Sequence, residues 1–138
     1  MLFAMINSLF LLSISAIHFY WAAGGRVGIN AAVPHDKGAP LFQPGIVATL
    51  LVALFLACAA FFYLIKVSVL KVDLPIIIDH FGAWFLGVIF LFRAIGEFRY
   101  VGFFKKIEGS RFANLDSRYY SPLCVLLALN SFLVAIYY

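Results

Sequence analysis

Apolar residues fall into four long runs, separated by intervals richer in turn-forming and charged residues. A helix of about 20 apolar residues crosses the hydrocarbon of a bilayer, so each run predicts one membrane-spanning helix. The first covers about residues 2–23 and ends at Gly24-Gly25; the second covers about 45–65, after the break at Pro44. The third covers about 75–98 and opens on Pro75, a favoured first-turn residue. The fourth covers about 121–138, where Ser121-Pro122 reads as an N-cap followed by proline at the first helical position. No long polar linker, low-complexity tract or fixed-period repeat interrupts the pattern. The expected fold is all-α, an integral membrane four-helix bundle forming one domain over 1–138. The first run has no Lys or Arg ahead of it and a long apolar core, so it is expected to be a retained helix rather than a cleaved leader.

Within each run, small and polar residues recur at a spacing of three to four. They are Ser8, Ser15, His18, Ala22 and Gly25, then Gly45, Thr49, Ala53, Ala57 and Ala60. The third run has Asp79, Ala83, Gly87, Ala94 and Glu97, and the fourth has Cys124, Ala128, Ser131 and Ala135. Lipid supplies no hydrophobic drive between helices, so close backbone approach and interhelical hydrogen bonds must hold them together. These stripes are the expected contact faces, and the bulky Leu, Phe and Ile residues elsewhere should meet lipid.

Composition agrees with the pattern: 65% of the 138 residues are hydrophobic and 12% charged, against about half and a quarter in soluble domains. The net charge of +4 bears on topology. The intervals after the first and third runs hold Arg26, Lys37, Arg99, Lys105, Lys106, Arg111 and Arg118, whereas the middle interval holds only Lys66 and Lys71. The positive-inside rule therefore places loops 1 and 3 (residues 24–44 and 99–120) in the cytoplasm and both termini outside. Cys58 and Cys124 both lie in apolar runs and read as small packing residues.

Ionisable groups in a span are expensive, and by default they raise a functional hypothesis. His18, with Tyr20 and Trp21 beside it, lies near the loop-1 end of the first run; Arg93 and Glu97 lie near the loop-3 end of the third. Parallel first and third helices would bring them to one depth, with Arg93 and Glu97 pairing at i,i+4. His18 and Glu97 are the acid–base candidates, and Tyr20, Trp21, Arg93, Arg99 and Tyr100 the binding candidates. The bland alternative has Arg93 snorkelling, Tyr20 and Trp21 anchoring at the interface, and the cluster merely locking helices. Asp79 suits the positive end of a helix N-terminus, so Asp79-His80 reads as structural.

Loop 1, GGRVGINAAVPHDKGAPLFQPG, carries three prolines and several glycines that forbid a regular helix. Its Val33, Leu41 and Phe42 suggest that it lies over the bundle mouth, which would bring His35 and Asp36, two further binding candidates, toward the layer of His18, Arg93 and Glu97. Loop 3 alternates basic residues with Tyr100, Phe103, Phe104, Phe112, Tyr119 and Tyr120, the composition of a segment lying on anionic headgroups. The adjoining spans favour membrane lipids over nucleic acid as its partner. Hydrolase, nucleotide-binding and haem-attachment motifs are missing, and the three histidines are scattered, so no metal site and no cofactor are expected.

The strings HFYWAAGG (18–25), the VP turn at 33–34, FRAIGEFRYVGFFK (92–105) and YYSPLC (119–124) together resemble a family of small bacterial membrane proteins catalogued only as a domain of unknown function. The resemblance runs over nearly the whole chain. It implies four spans and the bacterial inner membrane, and it brings no activity with it. Two functional readings follow. One is a site for a small amphiphile or lipid headgroup near the cytoplasmic face, between the first and third helices, binding or enzymatic. The other is a non-catalytic scaffold or accessory subunit whose polar cluster only locks the helices.

Overall fold

The computed structural model describes residues 1–138. Its four long helices are α1 (Leu2–Ala22), α3 (Ile46–Lys66), α4 (Ile76–Ile95) and α6 (Ser121–Tyr137). Each of the four apolar segments is long enough to cross a membrane, so this is a multi-pass integral membrane protein. Loop 1, expected to hold no helix, folds a single helical turn, α2 (Ile29–Ala32), in the stretch ahead of its first proline, and a two-stranded hairpin, β1 (His35–Asp36) with β2 (Ala39–Pro40). Loop 3 contains α5 (Arg111–Leu115) and a π-helical turn, Asp116–Tyr120, that runs straight into α6.

The helices form a ring in the order α3, α1, α6, α4, and the ring closes through only a light contact between α3 and α4. The third span, α4, therefore packs on α6 and not on α1. Small residues dictate this. A side chain at Gly87 would stand 2.5 Å from the Phe132 ring of α6, so glycine there lets α4 approach closely. Gly82 plays the same part against Phe62 of α3. Most of the small-residue stripe is buried: Ser8, Ser15, Thr49, Ala53, Ala60, Ala83, Gly87, Ala94, Ala128 and Ser131. Large side chains such as Phe81, Phe85, Leu54 and Leu129 point outward, toward lipid. The N-terminal amine donates to the Tyr138 hydroxyl, so both termini lie at one end, opposite loops 1 and 3.

A buried polar network fastens the interior. Asn7 Nδ2 donates to the Leu127 carbonyl (3.0 Å) and to Ser131 Oγ (3.2 Å), while Asn130 Nδ2 donates to Asn7 Oδ1 (3.1 Å). The Tyr63 hydroxyl meets Ser131 Oγ at 2.6 Å, so one hub joins α1, α3 and α6. Ser15 Oγ adds a bond to the Ala53 carbonyl at 2.7 Å. In a medium without water these bonds have no competitor, yet each contributes only about 0.6–2 kcal/mol. Replacing Asn7 with leucine removes three of them at once, and we expect about 2 kcal/mol of lost stability. Equilibrium unfolding in mixed micelles measures that loss, and an unchanged midpoint would show the network to be dispensable.

Two boundaries differ from the sequence reading. The third helix stops at Ile95 and not near Phe98, because Gly96 takes φ 81° and turns the chain back. The last helical run begins at Arg111 rather than Ser121, with Ser110 Oγ accepting from the Ala113 amide at 3.0 Å as its N-cap. Ser121 caps nothing: it is fully buried inside a continuous helix. Pro122 is tolerated there because the π turn just before it already departs from the α-helical register.

Candidate functional site

Loop 1, loop 3 and the ion pairs of Asp116 gather at one end of the bundle. Loop 3 leaves α4 through two glycines that press against each other's backbone. A Cβ at Gly96 would lie 1.8 Å from the Val101 carbonyl oxygen, and one at Gly102 would lie 2.3 Å from that of Ile95. Phe103 then donates its amide to the Ala94 carbonyl (2.9 Å), folding the loop back onto the helix end.

This fold-back is organised by Asp116, which is fully buried. One carboxylate oxygen accepts from Arg93 Nη2 at 3.0 Å; the other accepts from the Gly102 amide at 2.8 Å and from Lys105 Nζ at 3.1 Å. Lys105, with its side chain 1% exposed, also donates to the Gly102 carbonyl (3.0 Å) and to Ser117 Oγ (2.6 Å). A buried charge is tolerable only when paired and fully hydrogen-bonded, and Asp116 and Lys105 both meet that condition. The π turn is the local device that makes this possible, since a fifth residue in the turn re-aims side chains relative to an α-helix.

The expected Arg93–Glu97 pair does not form. Glu97 lies beyond the end of α4, so the i,i+4 geometry of a helix does not reach it. Its carboxylate instead accepts from the Tyr100 amide at 2.9 Å, and it is exposed. Arg93 sits two residues from the end of α4 and serves Asp116. Lys105, counted as a headgroup contact in the sequence, turns inward. Arg99 is exposed and stacks its guanidinium on Tyr100 at 5.1 Å from the ring centre. At the opposite end of the bundle, Asp79 pairs with Lys66 at 2.8 Å, a staple between α3 and α4.

His18 and Trp21 lie elsewhere. They line a cavity of about 460 Å³ between α1, α3 and loop 1, walled also by Ile29, Val33, Phe42 and Val52. Neither Arg93 nor Glu97 contributes to it. Because the second of the four spans, and not the third, is the neighbour of the first, the expected convergence of His18 with Arg93 and Glu97 does not occur. His18 Nδ1 lies 2.8 Å from the Ile14 carbonyl, which can only accept, so Nδ1 carries the proton. In that tautomer Nε2 is the acceptor. The ring meets Trp21 edge to face at 5.0 Å, and Trp21 Nε1 donates to the Val27 carbonyl at 2.8 Å, pinning loop 1. Tyr20 is outside this cavity; its ring lies over Gly25, where any Cβ would fall 2.3 Å from it.

His35 and Asp36 also stand apart from His18. They belong to the hairpin and face loop 3 across a second, polar cleft. Tyr120 ties the two loops together, its hydroxyl donating to the Ala31 carbonyl at 3.1 Å. Sequence reasoning missed Asp116, Lys105, Tyr63, Asn7 and Asn130 as fastening residues. Asp116 could have been suspected as the one acid placed just before the YYSPLC string; the others carry no local signal.

The family described as Protein of unknown function (DUF3995) matches residues 11–130, and the chain belongs to it. No curated protein and no solved structure matches the chain.

Proposed function

We propose that this membrane protein binds a small amphiphile in the cavity walled by His18 and Trp21. We further propose that the loop-1 and loop-3 end faces the cytoplasm, in a bacterial inner membrane, with both termini outside. The observation that carries the reading is the cavity itself. It lies where α1 and α3 meet loop 1, and seven of its twelve lining residues are hydrophobic. Only a few polar groups break its wall, which is the make-up of a small-molecule site. His18 supplies a polar ring among apolar walls, suited to a hydroxyl near the foot of a hydrocarbon chain. The exposed Arg99, Lys106 and Arg118, set among Phe103, Phe104 and Tyr119, would draw anionic headgroups to the same face.

The reading is one of binding rather than catalysis. Glu97 does not line the cavity and its carboxylate accepts from the Tyr100 amide, and His18 has no carboxylate partner among its hydrogen bonds. Arg93 is explained by Asp116 and keeps its structural role.

Trp21 supplies its own reporter. In a Trp84→Phe background it is the remaining tryptophan. A brominated single-chain lipid should quench it saturably, and His18→Phe should weaken that saturation by about fivefold through loss of one hydrogen bond. Quenching that rises linearly with lipid and ignores His18 would mean that Trp21 only senses bulk bilayer, and would end the proposal.

A further inference from the structure

The short helix α2 separates two hollows of opposite character. Ile29, Ala32 and Val33 face the apolar cavity, whereas Asn30 lines a cleft of about 680 Å³ on the other side. That cleft runs between the loop-1 hairpin and residues 107–111 of loop 3, and only one of its eleven lining residues is hydrophobic. An acyl chain would gain little there. Four charged residues surround the space: Asp36 and Lys37 from the hairpin, Glu108 and Arg111 from loop 3. None of the four takes part in an ion pair, since the three ion pairs of the chain join Lys66, Asp79, Arg93, Lys105 and Asp116.

Two unpaired acids and two unpaired bases around one open space discriminate by charge pattern. A plain anion would be held by Lys37 and Arg111 but repelled by Asp36 and Glu108. A plain cation meets the converse. A group carrying both signs satisfies all four. The backbone supports this placement of charge. Lys37 and Gly38 form the two-residue turn of the hairpin with φ 50° and 83°, a geometry that favours asparagine and glycine. A lysine there tolerates left-handed strain, and its charge sits at the tip of the turn facing loop 3. His35 Nδ1 is 2.8 Å from the Val33 carbonyl, which fixes the ring at the foot of the hairpin.

We propose that this cleft binds a phosphoethanolamine group, its phosphate held by Lys37 and Arg111 and its primary ammonium by Asp36 and Glu108. The cleft lies at the same end of the helices as the apolar cavity, one small helix away. The group would then be the headgroup of an aminophospholipid, an assignment that deepens the amphiphile reading and rests on it for the source alone. Soluble phosphoethanolamine offers the same chemistry without a chain.

The test uses the full-length protein in nanodiscs. Phosphatidylethanolamine should be retained about tenfold better than phosphatidylglycerol, which lacks the ammonium, and phosphatidylcholine, whose quaternary nitrogen cannot donate hydrogen bonds. The exposed pair Lys37→Gln with Arg111→Gln should abolish retention of the headgroup. Asp36→Asn with Glu108→Gln should remove the preference over phosphatidylglycerol while leaving residual binding. Soluble phosphoethanolamine should compete with the lipid. If it binds in a manner sensitive to the four cleft residues while the lipid does not, the cleft assignment stands and the amphiphile reading falls. Trp21→Leu should weaken lipid binding and leave soluble phosphoethanolamine untouched. Equal retention of the three lipids with no binding of soluble phosphoethanolamine, or a preference unmoved by the cleft variants, overturns the assignment.

Discussion

Replacing Asp116 with asparagine is expected to cost about 3–5 kcal/mol of stability, because it leaves a buried lysine without its counter-charge. Lys105 is the reason for the size of the effect. Its side chain is 1% exposed and its remaining partners, the Gly102 carbonyl and Ser117 hydroxyl, are neutral. Arg93, 35% exposed, can swing outward and matters less. Lys105→Met alone should be milder, since Asp116 keeps Arg93 and the Gly102 amide. The double change of Asp116→Asn with Lys105→Met should cost less than the sum of the two single changes, because the buried lysine charge is no longer there to be left uncompensated. Glu97→Gln should stay within about 0.5 kcal/mol, as an exposed surface change. Equilibrium unfolding in mixed micelles gives all of these values. A loss for Glu97→Gln as large as that for Asp116→Asn would mean that Arg93 depends on Glu97 after all.

The second large effect is steric. Gly96→Ala and Gly102→Ala should each cost more than about 3 kcal/mol, summing the left-handed penalty of an L side chain with a clash that must move backbone. At both positions the obstacle is a main-chain carbonyl, which no rotamer change can relieve. Gly109→Ala is the matched control. It has the same positive φ, 93°, yet open space around its Cβ, so only the conformational penalty of about 1–2 kcal/mol should appear. Thermal unfolding followed by circular dichroism would rank the three. Gly102→Ala should also loosen the amide bond to Asp116, making loop 3 between residues 97 and 110 an early target of limited proteolysis. Equal behaviour of all three variants would show that the crossing of residues 96 and 102 is not under steric constraint.

The membrane character and the number of spans follow from the sequence alone, because a run of about 20 apolar residues has one stable outcome in a bilayer. The buried faces were legible for a related reason. Close packing without a hydrophobic drive requires small residues, and their three-to-four spacing marks the inner face before any neighbour is known. Local chemistry placed the Gly24-Gly25 end of α1 within two residues. Neighbour choice was not legible. Whether α4 packs on α1 or α6 depends on how Gly87 receives Phe132, a contact between residues 45 apart with no trace in either segment. That choice carried His18 away from Arg93 and gave Arg93 a different carboxylate. The i,i+4 pairing of Arg93 and Glu97 rested on a helix continuing through Gly96, and a glycine at φ 81° ended it; a glycine's freedom can be seen in sequence, but the use made of it cannot. Asp116 shows the limit most clearly. In sequence it is one acid in a basic, aromatic loop, and only the fold brings an arginine, a lysine and an amide from three places to it, because buried charge is tolerated where tertiary structure supplies every partner at once.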